Sequence, residues 1–212
     1  MGTLKDGILG GFSGRVGTLV GATWKDIYYI RTRPAKVRDA KTEKQLSQRS
    51  SFSVTMDFLK RITPFIRIGF QAHATGRMTA FNAAMSYNMK HALRKGDQGM
   101  ALDWPNVLVS KGTLGSASGV TGKVSEWELH LHWDTAGSEN SWPDDIAMVV
   151  AHNTVKGRSI YDLNASKRAS GKANLPLPVA WEGDAIETYL AFKTDDGVVV
   201  SDSIYTGQYV VS

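Results

Sequence analysis

The chain has 212 residues, of which 42% are hydrophobic and 21% are charged, and it contains no cysteine. This composition is that of a folded globular protein and excludes disordered proteins, disulfide scaffolds, thiolate enzymes and Cys-ligated zinc sites. No segment approaches the roughly 18 apolar residues of a membrane span. Asp6 and the nearby glycines interrupt the apolar run that a signal peptide requires. We therefore expect a soluble protein without a classical export signal, located in the cytoplasm or in a virion.

The net charge of +5 is unevenly distributed along the chain. Residues 1–100 contain 17 Lys or Arg and 6 Asp or Glu, whereas residues 101–212 contain 8 and 14. The first part is therefore basic, with a net charge of +11, and the second is acidic, with −6. This asymmetry predicts either an anionic partner for the basic half or head-to-tail contact between copies of the chain.

The N-terminal residues contain an unusual series of glycines, namely Gly7, Gly10, Gly11, Gly14, Gly17 and Gly21. Glycine weakens a strand and occurs in strands where another backbone comes close. β-Branched and aromatic residues follow up to Arg33, and a turn between Ala22 and Asp26 would fold them into a hairpin that ends before Pro34. We interpret the glycines as positions of close backbone packing. The spacing lacks the Gly-Lys-Ser/Thr of a P-loop, and flanking charges argue against a membrane dimer motif.

Three helices are predicted after this hairpin. Thr42 and Gln45 fit a capping box at the start of an amphipathic helix over about residues 43–62. Its apolar or small stripe consists of Leu46, Ser50, Val54, Phe58 and Ile62, widened by Phe52 and Leu59. Thr63-Pro64 begins a short apolar helix that ends near Gly76, and a third helix covers about residues 79–93. The first 98 residues are therefore predicted to form a basic domain with a Gly-rich β-hairpin and helices.

Short strands dominate the second half of the chain. Apolar residues alternate with polar ones from Trp127 to Trp133, as in a half-buried strand. Further strands are predicted over residues 146–151, 185–193 and 198–204, with an edge strand over residues 205–211. About seven short strands favour an acidic β-sandwich domain of immunoglobulin or fibronectin III type over residues 99–212. The predicted fold class of the whole chain is α+β.

Residues of catalytic or metal-binding type have simpler explanations in this sequence. His130 and His132 lie on one face of a strand, but without a convincing third ligand we interpret them as exposed polar residues. Asp144-Asp145 and Asp195-Asp196 lie beside Pro or Gly and are interpreted as turn residues. Ser110, Ser116 and Ser118 lie near glycines without a Gly-x-Ser-x-Gly elbow. We therefore expect no enzyme, no metal and no cofactor.

Several motifs in order resemble a family of uncharacterised Bacteroidota proteins of about two hundred residues that begin with a GGFSGKVG-type motif. The motifs are GILGGFSGRVGTLVGATW, YIRTRP, KTEKQLSQRSSF, MTAFNAAMSYN and DWPNVLVSKGTLGSA. The family form has Asn-Pro before the threonine, where this chain has Asp39-Ala40-Lys41. The resemblance implies no activity. The segment from Arg33 to Phe52 is also similar to small structural proteins of phages and mobile elements.

These features favour a non-enzymatic structural protein that assembles into a homo-oligomer, filament or particle. The predicted assembly interface consists of Gly10, Gly11, Gly14, Gly17, Gly21 and Trp24. Residues predicted to contact an anionic partner are Arg31, Arg33, Lys36, Arg38, Lys41, Lys44 and Arg49. The alternative is a binding module, either for nucleic acid through residues 31–49, with Tyr28 and Tyr29 stacking on bases, or for a partner protein through the β-sandwich.

Overall fold

The computed structural model describes residues 2–4, 10–24, 27–34, 41–96, 99–136 and 139–212. It divides the chain into two compact units, Met1–Thr42 and Glu43–Ser212. Helices and antiparallel sheets occur together, so the chain is an α+β protein. The predicted domain boundary between residues 98 and 99 falls beside Asp97 and Gln98, which lie outside the described residues, and it stays a prediction.

The first unit contains a four-stranded antiparallel sheet in which each strand pairs with the next along the chain. Its strands are β1 (Gly2–Leu4), β2 (Phe12–Val16), β3 (Leu19–Trp24) and β4 (Ile27–Thr32). The predicted hairpin is confirmed as β3 and β4, with Trp24 opposite Ile27. β1 and β2, which the sequence analysis did not identify, extend this hairpin to a sheet.

Three α-helices begin the second unit: α1 (Glu43–Leu59), α2 (Thr63–Gly69) and α3 (Ala80–His91). A 3₁₀ turn over residues 60–62 joins α1 to α2, and Pro64 lies in the first turn of α2, as predicted. The hydroxyl of Thr79 accepts a hydrogen bond from the Asn82 amide at 3.1 Å and caps α3. α2 ends at Gly69 rather than near Gly76, because the chain changes there to a 3₁₀ turn.

The predicted apolar stripe of α1 is wrong in its N-terminal half. Leu46 is 49% exposed and Phe52 is 47% exposed. The buried residues of this helix are Ser51, Thr55, Phe58 and Leu59. Only the C-terminal turns of α1 therefore pack into the core, and two small polar residues occupy part of the buried face. The Ser51 and Thr55 hydroxyls donate to the carbonyls of residues 47 and 51, which satisfies them inside the helix.

The remaining strands form two larger sheets and one hairpin. These strands are β5 (Leu93–Gly96), β6 (Gly99–Leu102), β7 (Thr121–Ser125), β8 (Glu128–His132), β9 (Ile146–Asn153), β10 (Arg158–Lys167), β11 (Lys172–Pro176), β12 (Ala185–Lys193) and β13 (Ile204–Val210). β5 and β6 form the hairpin. The strand order of the larger sheets is β10-β9-β12-β13 in one and β11-β8-β7 in the other, and all their pairs are antiparallel.

The two central strands of the four-stranded sheet in the second unit, β9 and β12, are buried on both faces. Met148 and Val150 of β9 pack with the helices in one hydrophobic cluster. Ala147 and Val149 of the same strand pack in a second cluster with β8 and β11 of the three-stranded sheet. Burial on both faces explains why most residues of β9 and β12 are apolar, with Glu187 and Thr188 as buried polar exceptions in β12. The helices, the four-stranded sheet and the three-stranded sheet therefore form three layers.

Two predicted features of the C-terminal strands are wrong. Trp127 does not continue the buried face of β8, because Glu126 and Trp127 form the β7–β8 turn with φ of 53° and 54°. Its side chain is 40% exposed. Residues 198–204 do not form a ladder, since only isolated bridges at Val200 and Ser201 precede β13. The edge strand predicted over residues 205–211 is confirmed as β13.

Candidate functional site

The surface with the clearest functional signature is the sheet of β1 to β4, which we call the N-terminal sheet. β2 and β3 are joined by the two-residue loop Gly17-Thr18, with Val16 opposite Leu19. Gly17 has φ of +59°, and such loops favour glycine because their twist matches that of the strands. The carbonyl of Thr18 accepts a hydrogen bond from the Arg33 amide at 2.8 Å, which ties the end of β4 to this loop.

The glycine series has an explanation within the chain at two positions. A Cβ atom at Gly11 would overlap the ring of Tyr28, and one at Gly21 would overlap the ring and carbonyl oxygen of Phe12. Only glycine lets these groups approach so closely. The predicted close packing therefore exists within one chain, at Gly21 between the adjacent strands β2 and β3 and at Gly11 against a ring from β4. A role of the glycines in contact between copies stays a prediction.

The other predicted interface residues lie in the same sheet or beside it. Gly14 lies in β2 opposite both Gly2 and Gly21, and Gly10 lies in a bend before this strand. Trp24 ends β3 and is 44% exposed. Gly7 lies outside the described residues. The structure therefore collects the described members of the predicted interface on one small sheet.

The N-terminal sheet has almost no buried side chain. Among its described residues only Gly21 is buried. The large apolar residues that remain exposed are Val16, Leu19, Trp24, Ile27, Tyr28, Tyr29 and Ile30. Ile30 is 61% exposed, which is high for a β-branched residue in a strand. Hydrophobic residues scattered singly over a surface need no explanation, but seven exposed within fifteen residues of one small sheet are typical of an interaction site.

Strand register distributes these residues over both faces of the sheet. Gly14, Gly21 and Ile30 lie side by side on one face, and Val16 and Leu19 lie next to them. The opposite face carries the Trp24–Ile27 pair and the Ala22–Tyr29 pair. On this second face Arg15, Val20 and Arg31 form a row across three strands. One face is therefore apolar, with the Phe12 ring against Gly21, and the other is aromatic at one end and basic at the other.

β4 forms one edge of the N-terminal sheet. All six of its residues are exposed, and among the described strands it pairs with β3 alone. An edge strand of this kind carries backbone amides and carbonyls that can pair with another chain. Edge strands of natural proteins usually carry a charge or a proline in the middle, but the Ile-Tyr-Tyr-Ile run of β4 has neither.

The structure brings together only part of the predicted anionic-partner site. Arg31 and Arg33 are exposed at the end of β4, and Lys41 is an exposed residue with φ of 44°. Lys44 and Arg49 lie on α1 in the second unit, and Lys36 and Arg38 lie outside the described residues. Arg15, which the sequence analysis did not include, shares a face with Arg31. Only the strand register could have identified it.

The net positive charge of the protein lies in the first unit, which contains the N-terminal sheet. Residues 1–42 contain eight Lys or Arg and three Asp or Glu, a net charge of +5. Residues 43–212 contain seventeen of each, a net charge of zero. The whole formal excess of positive charge therefore resides in the unit that has the exposed apolar strands.

The histidine pair has the geometry that the sequence predicted. Leu129 and Leu131 point into the core, whereas His130 and His132 point outward. His130 Nδ1 lies 3.2 Å from Asn174 Oδ1 and 3.6 Å from Glu128 Oε2. Within the described ranges, no group of three or more His, Cys, Asp or Glu residues is arranged to hold a metal ion.

The paired aspartates and the serines have structural contacts. Asp196 Oδ1 accepts a hydrogen bond from the Val198 amide at 3.0 Å, which confirms its turn role. Asp145 accepts from the Trp142 amide at 2.9 Å and also forms a buried ion pair with Arg168 that the sequence analysis missed. Ser110 is buried and donates to the Ser201 carbonyl at 2.7 Å.

Comparison with known proteins places the chain in a family without assigning it an activity. In the described part of the chain, no helix is long and apolar enough to cross a membrane. No curated protein matches the sequence. Residues 11–207, which include most of both units, match a family model described as a family of unknown function. The chain therefore belongs to the family DUF6266.

Proposed function

We propose that this protein is a non-enzymatic structural protein that assembles with copies of itself through the N-terminal sheet. The observation that carries the proposal is a four-stranded sheet whose apolar side chains are exposed on both faces. A small sheet needs an apolar face packed against another element to be stable in water. A neighbouring copy of the chain supplies such a partner.

The geometry of β4 supports a specific mode of contact. Its exposed edge can add to the edge of another sheet through backbone hydrogen bonds, while Ile27 and Ile30 project to opposite faces. Tyr28 and Tyr29 add aromatic area with little loss of side-chain entropy. The face that carries Gly14 and Gly21 then packs against the neighbour, whereas Trp24 lies on the opposite face. Contact of Gly10, Gly11 and Gly17 with another copy stays a prediction.

Charge supports a head-to-tail arrangement rather than a symmetric one. Two copies of the first unit, each with net charge +5, repel when they meet face to face. The second unit has no net charge, and within it the acidic residues 101–212, with a net charge of −6, can attract the basic unit of a neighbour. Contact between different surfaces produces a ring when the rotation closes and a filament when it does not. The phage-protein likeness of residues 33–52 is inferred from the sequence alone, and it is consistent with such an assembly.

The fold of the second half is part of this proposal. We infer that the four-stranded and three-stranded sheets correspond to an immunoglobulin- or fibronectin III-like sandwich, supported by their antiparallel pairing around one shared core. The three-stranded sheet is the layer farther from the helices, so its outer face is the surface available to another protein partner.

The native mass tests self-assembly directly. We expect light scattering after size-exclusion chromatography to give a mass well above the monomer mass of 23.2 kDa. Electron microscopy of the same fraction should show rings or filaments. Ile30→Asp places a charge on the apolar face and should reduce the mass to that of a monomer. Val210→Asp is the matched control, since Val210 is 60% exposed in the edge strand β13. A monomeric wild-type protein contradicts the proposal.

A specific observation favours nucleic acid as the second candidate partner. Arg15 and Arg31 share one face with Tyr29, and single-stranded nucleic acid binds to surfaces that combine cations with stacking rings. Replacing Arg31, Arg33 and Arg38 by Glu should then abolish a salt-sensitive shift of a fluorescent oligonucleotide. If the wild-type protein produces no shift at low salt, nucleic acid is excluded as this partner.

A further inference from the structure

A second surface, within residues 43–212, combines features of a small-molecule site. A cavity of about 390 Å³ lies between α1, the β5–β6 hairpin and the end of β9. The lining residues that matter here are Asp57, Phe58, Arg61, Arg94, Trp104 and His152. None of them belongs to the proposed assembly surface.

Three rings form the inner wall of this cavity. The ring centroids of Phe58 and Trp104 are 5.4 Å apart, those of Trp104 and His152 are 5.2 Å apart, and those of Phe58 and His152 are 5.0 Å apart. Phe58 and His152 are buried and hold Trp104 against the core. Aromatic contacts of this kind give a rigid wall that suits a flat apolar group.

Two guanidinium groups line the same cavity. Arg61 follows Asp57 by one helical turn, and Arg94 lies on β5. Neither arginine forms an ion pair or side-chain hydrogen bond with another residue that the structure describes. With one carboxylate and two guanidinium groups, the cavity has a net positive charge. Paired arginines bind carboxylate and phosphate groups through parallel hydrogen bonds.

His152 contributes a buried polar atom to the cavity. Its Nδ1 lies 2.8 Å from the Ser159 hydroxyl, and the residue is 5% exposed. Nε2 has no hydrogen-bond partner among the described residues. Every fully buried polar side-chain atom in the described residues does have such a partner, so Nε2 is not fully buried. Nε2 is therefore open to the cavity that His152 lines. An imidazole nitrogen in this position can form a hydrogen bond with a ligand.

We propose that this cavity binds a small organic anion that joins a carboxylate or phosphate to a flat apolar group. The acid group pairs with Arg61 and Arg94 at the mouth of the cavity. The apolar group packs against Phe58 and Trp104, and His152 Nε2 forms a hydrogen bond with the ligand. Both parts of the ligand are required, because neither the rings nor the arginines form a complete site alone.

Isothermal titration calorimetry of the full-length protein tests this site, and it is independent of the state of assembly. Phenyl phosphate and benzoate are the probes that contain both parts and distinguish the two acid groups. Inorganic phosphate and benzyl alcohol contain one part each. We expect at least one of the complete probes to bind about tenfold or more tightly than either partial probe, as expected when two groups contribute together.

Variants then locate the site. Arg61→Gln and Arg94→Gln should each weaken binding of the complete probe about tenfold, the effect of losing one charge-assisted contact. Arg67→Gln is the matched control, since Arg67 is an exposed arginine on α2 outside the cavity, and it should leave the affinity unchanged.

Two results would overturn the proposal. One is equal binding of complete and partial probes, including no binding of any of them. The other is loss of binding in Lys90→Gln or Lys111→Gln rather than in the arginine variants, which would place the anion in the separate groove beside α3. Circular dichroism of each variant confirms that a loss of binding is not a loss of fold.

Discussion

At the scale of single residues, the second unit depends on one buried ion pair. Arg168 Nε lies 3.0 Å from Asp145 Oδ2, and both side chains are buried. The guanidinium also donates to the Gly115 carbonyl at 2.6 Å and lies over the Phe192 ring at 3.7 Å from its centroid. These contacts satisfy the charge of Arg168, so removing the carboxylate leaves a buried cation without its counter-ion.

We therefore expect Asp145→Asn to lower the free energy of unfolding by about 3–5 kcal/mol, the usual cost of breaking a buried ion pair by removing one partner. Urea denaturation measures this change. Asp144→Asn is the control, because Asp144 pairs with Lys167 at an exposed site and its loss should have little effect. Equal stability of the two variants would show that the buried pair is not important for folding.

His152 makes stability depend on pH. Burial and the nearby charge of Arg61 lower its pKa from 6.5 to about 4. Between these values the unfolded chain binds a proton at this residue and the folded chain does not, so stability decreases as the pH falls from 6.5 to 4. A shift of this size corresponds to about 3 kcal/mol.

Comparison with His152→Asn isolates this contribution, because Asn retains a polar group near Ser159 but does not titrate. Between pH 7 and pH 4, we expect the free energy of unfolding of the wild-type protein to fall about 3 kcal/mol more than that of the variant. Chemical denaturation at several pH values gives both curves. Parallel curves would mean that His152 titrates normally in the folded protein.

At the scale of elements, the β7–β8 turn has an unfavourable sequence. Glu126 and Trp127 both adopt left-handed φ values, a conformation that costs residues other than Gly, Asn and Asp roughly 1 kcal/mol each. The turn is fixed because the Trp127 carbonyl accepts from the Leu177 amide at 2.7 Å and the Trp127 amide donates to the Ser212 carbonyl at 3.2 Å.

Glu126→Asn should therefore raise the free energy of unfolding by about 0.5–1 kcal/mol, since Asn favours this turn position. Thermal and urea unfolding measure the gain. Glu182→Asn is the control, because Glu182 has φ of −49° and gains nothing from the substitution. A Glu126→Asn variant that is no more stable than Glu182→Asn would contradict the assignment of strain to this turn.

Local patterns in the sequence predicted those elements whose signals are themselves local. A helix beginning near Thr79 was predicted and is α3, and the strands predicted from Ile146 and Ala185 are β9 and β12. Trp127 was wrongly predicted to belong to the buried face of β8, because the alternation of apolar and polar residues continues from the strand into the turn. Leu46 is exposed because only the C-terminal turns of α1 pack into the core. Such outcomes depend on neighbours that are distant in the sequence.

The same distinction applies to the candidate sites. The glycine series and the aromatic run of β4 were visible in the sequence, but the strand register that places Tyr28 over Gly11 and Arg15 near Arg31 was not. The cavity that contains Arg61, Arg94 and His152 could not be predicted, because these residues belong to three different elements and carry no common motif.

At the scale of the whole molecule, core and charge are divided between the two units. Both hydrophobic clusters of the described residues lie entirely within residues 43–212. The excess positive charge and the exposed apolar strands lie within residues 1–42. The described hydrophobic cores therefore belong to the second unit, and we expect this unit to fold without the first.

A chain that lacks residues 1–42 should therefore fold and remain monomeric. Because both cores are retained, we expect its melting temperature to lie within a few degrees of that of the full-length protein, the change that about 1 kcal/mol produces in a domain of this size. Light scattering and thermal unfolding measure the two properties. Assembly of the shortened chain would move the contact between copies into residues 43–212. Failure to fold would mean that the N-terminal sheet stabilises the second unit. The apolar residues of the sheet would then act in folding and not only in contact between copies.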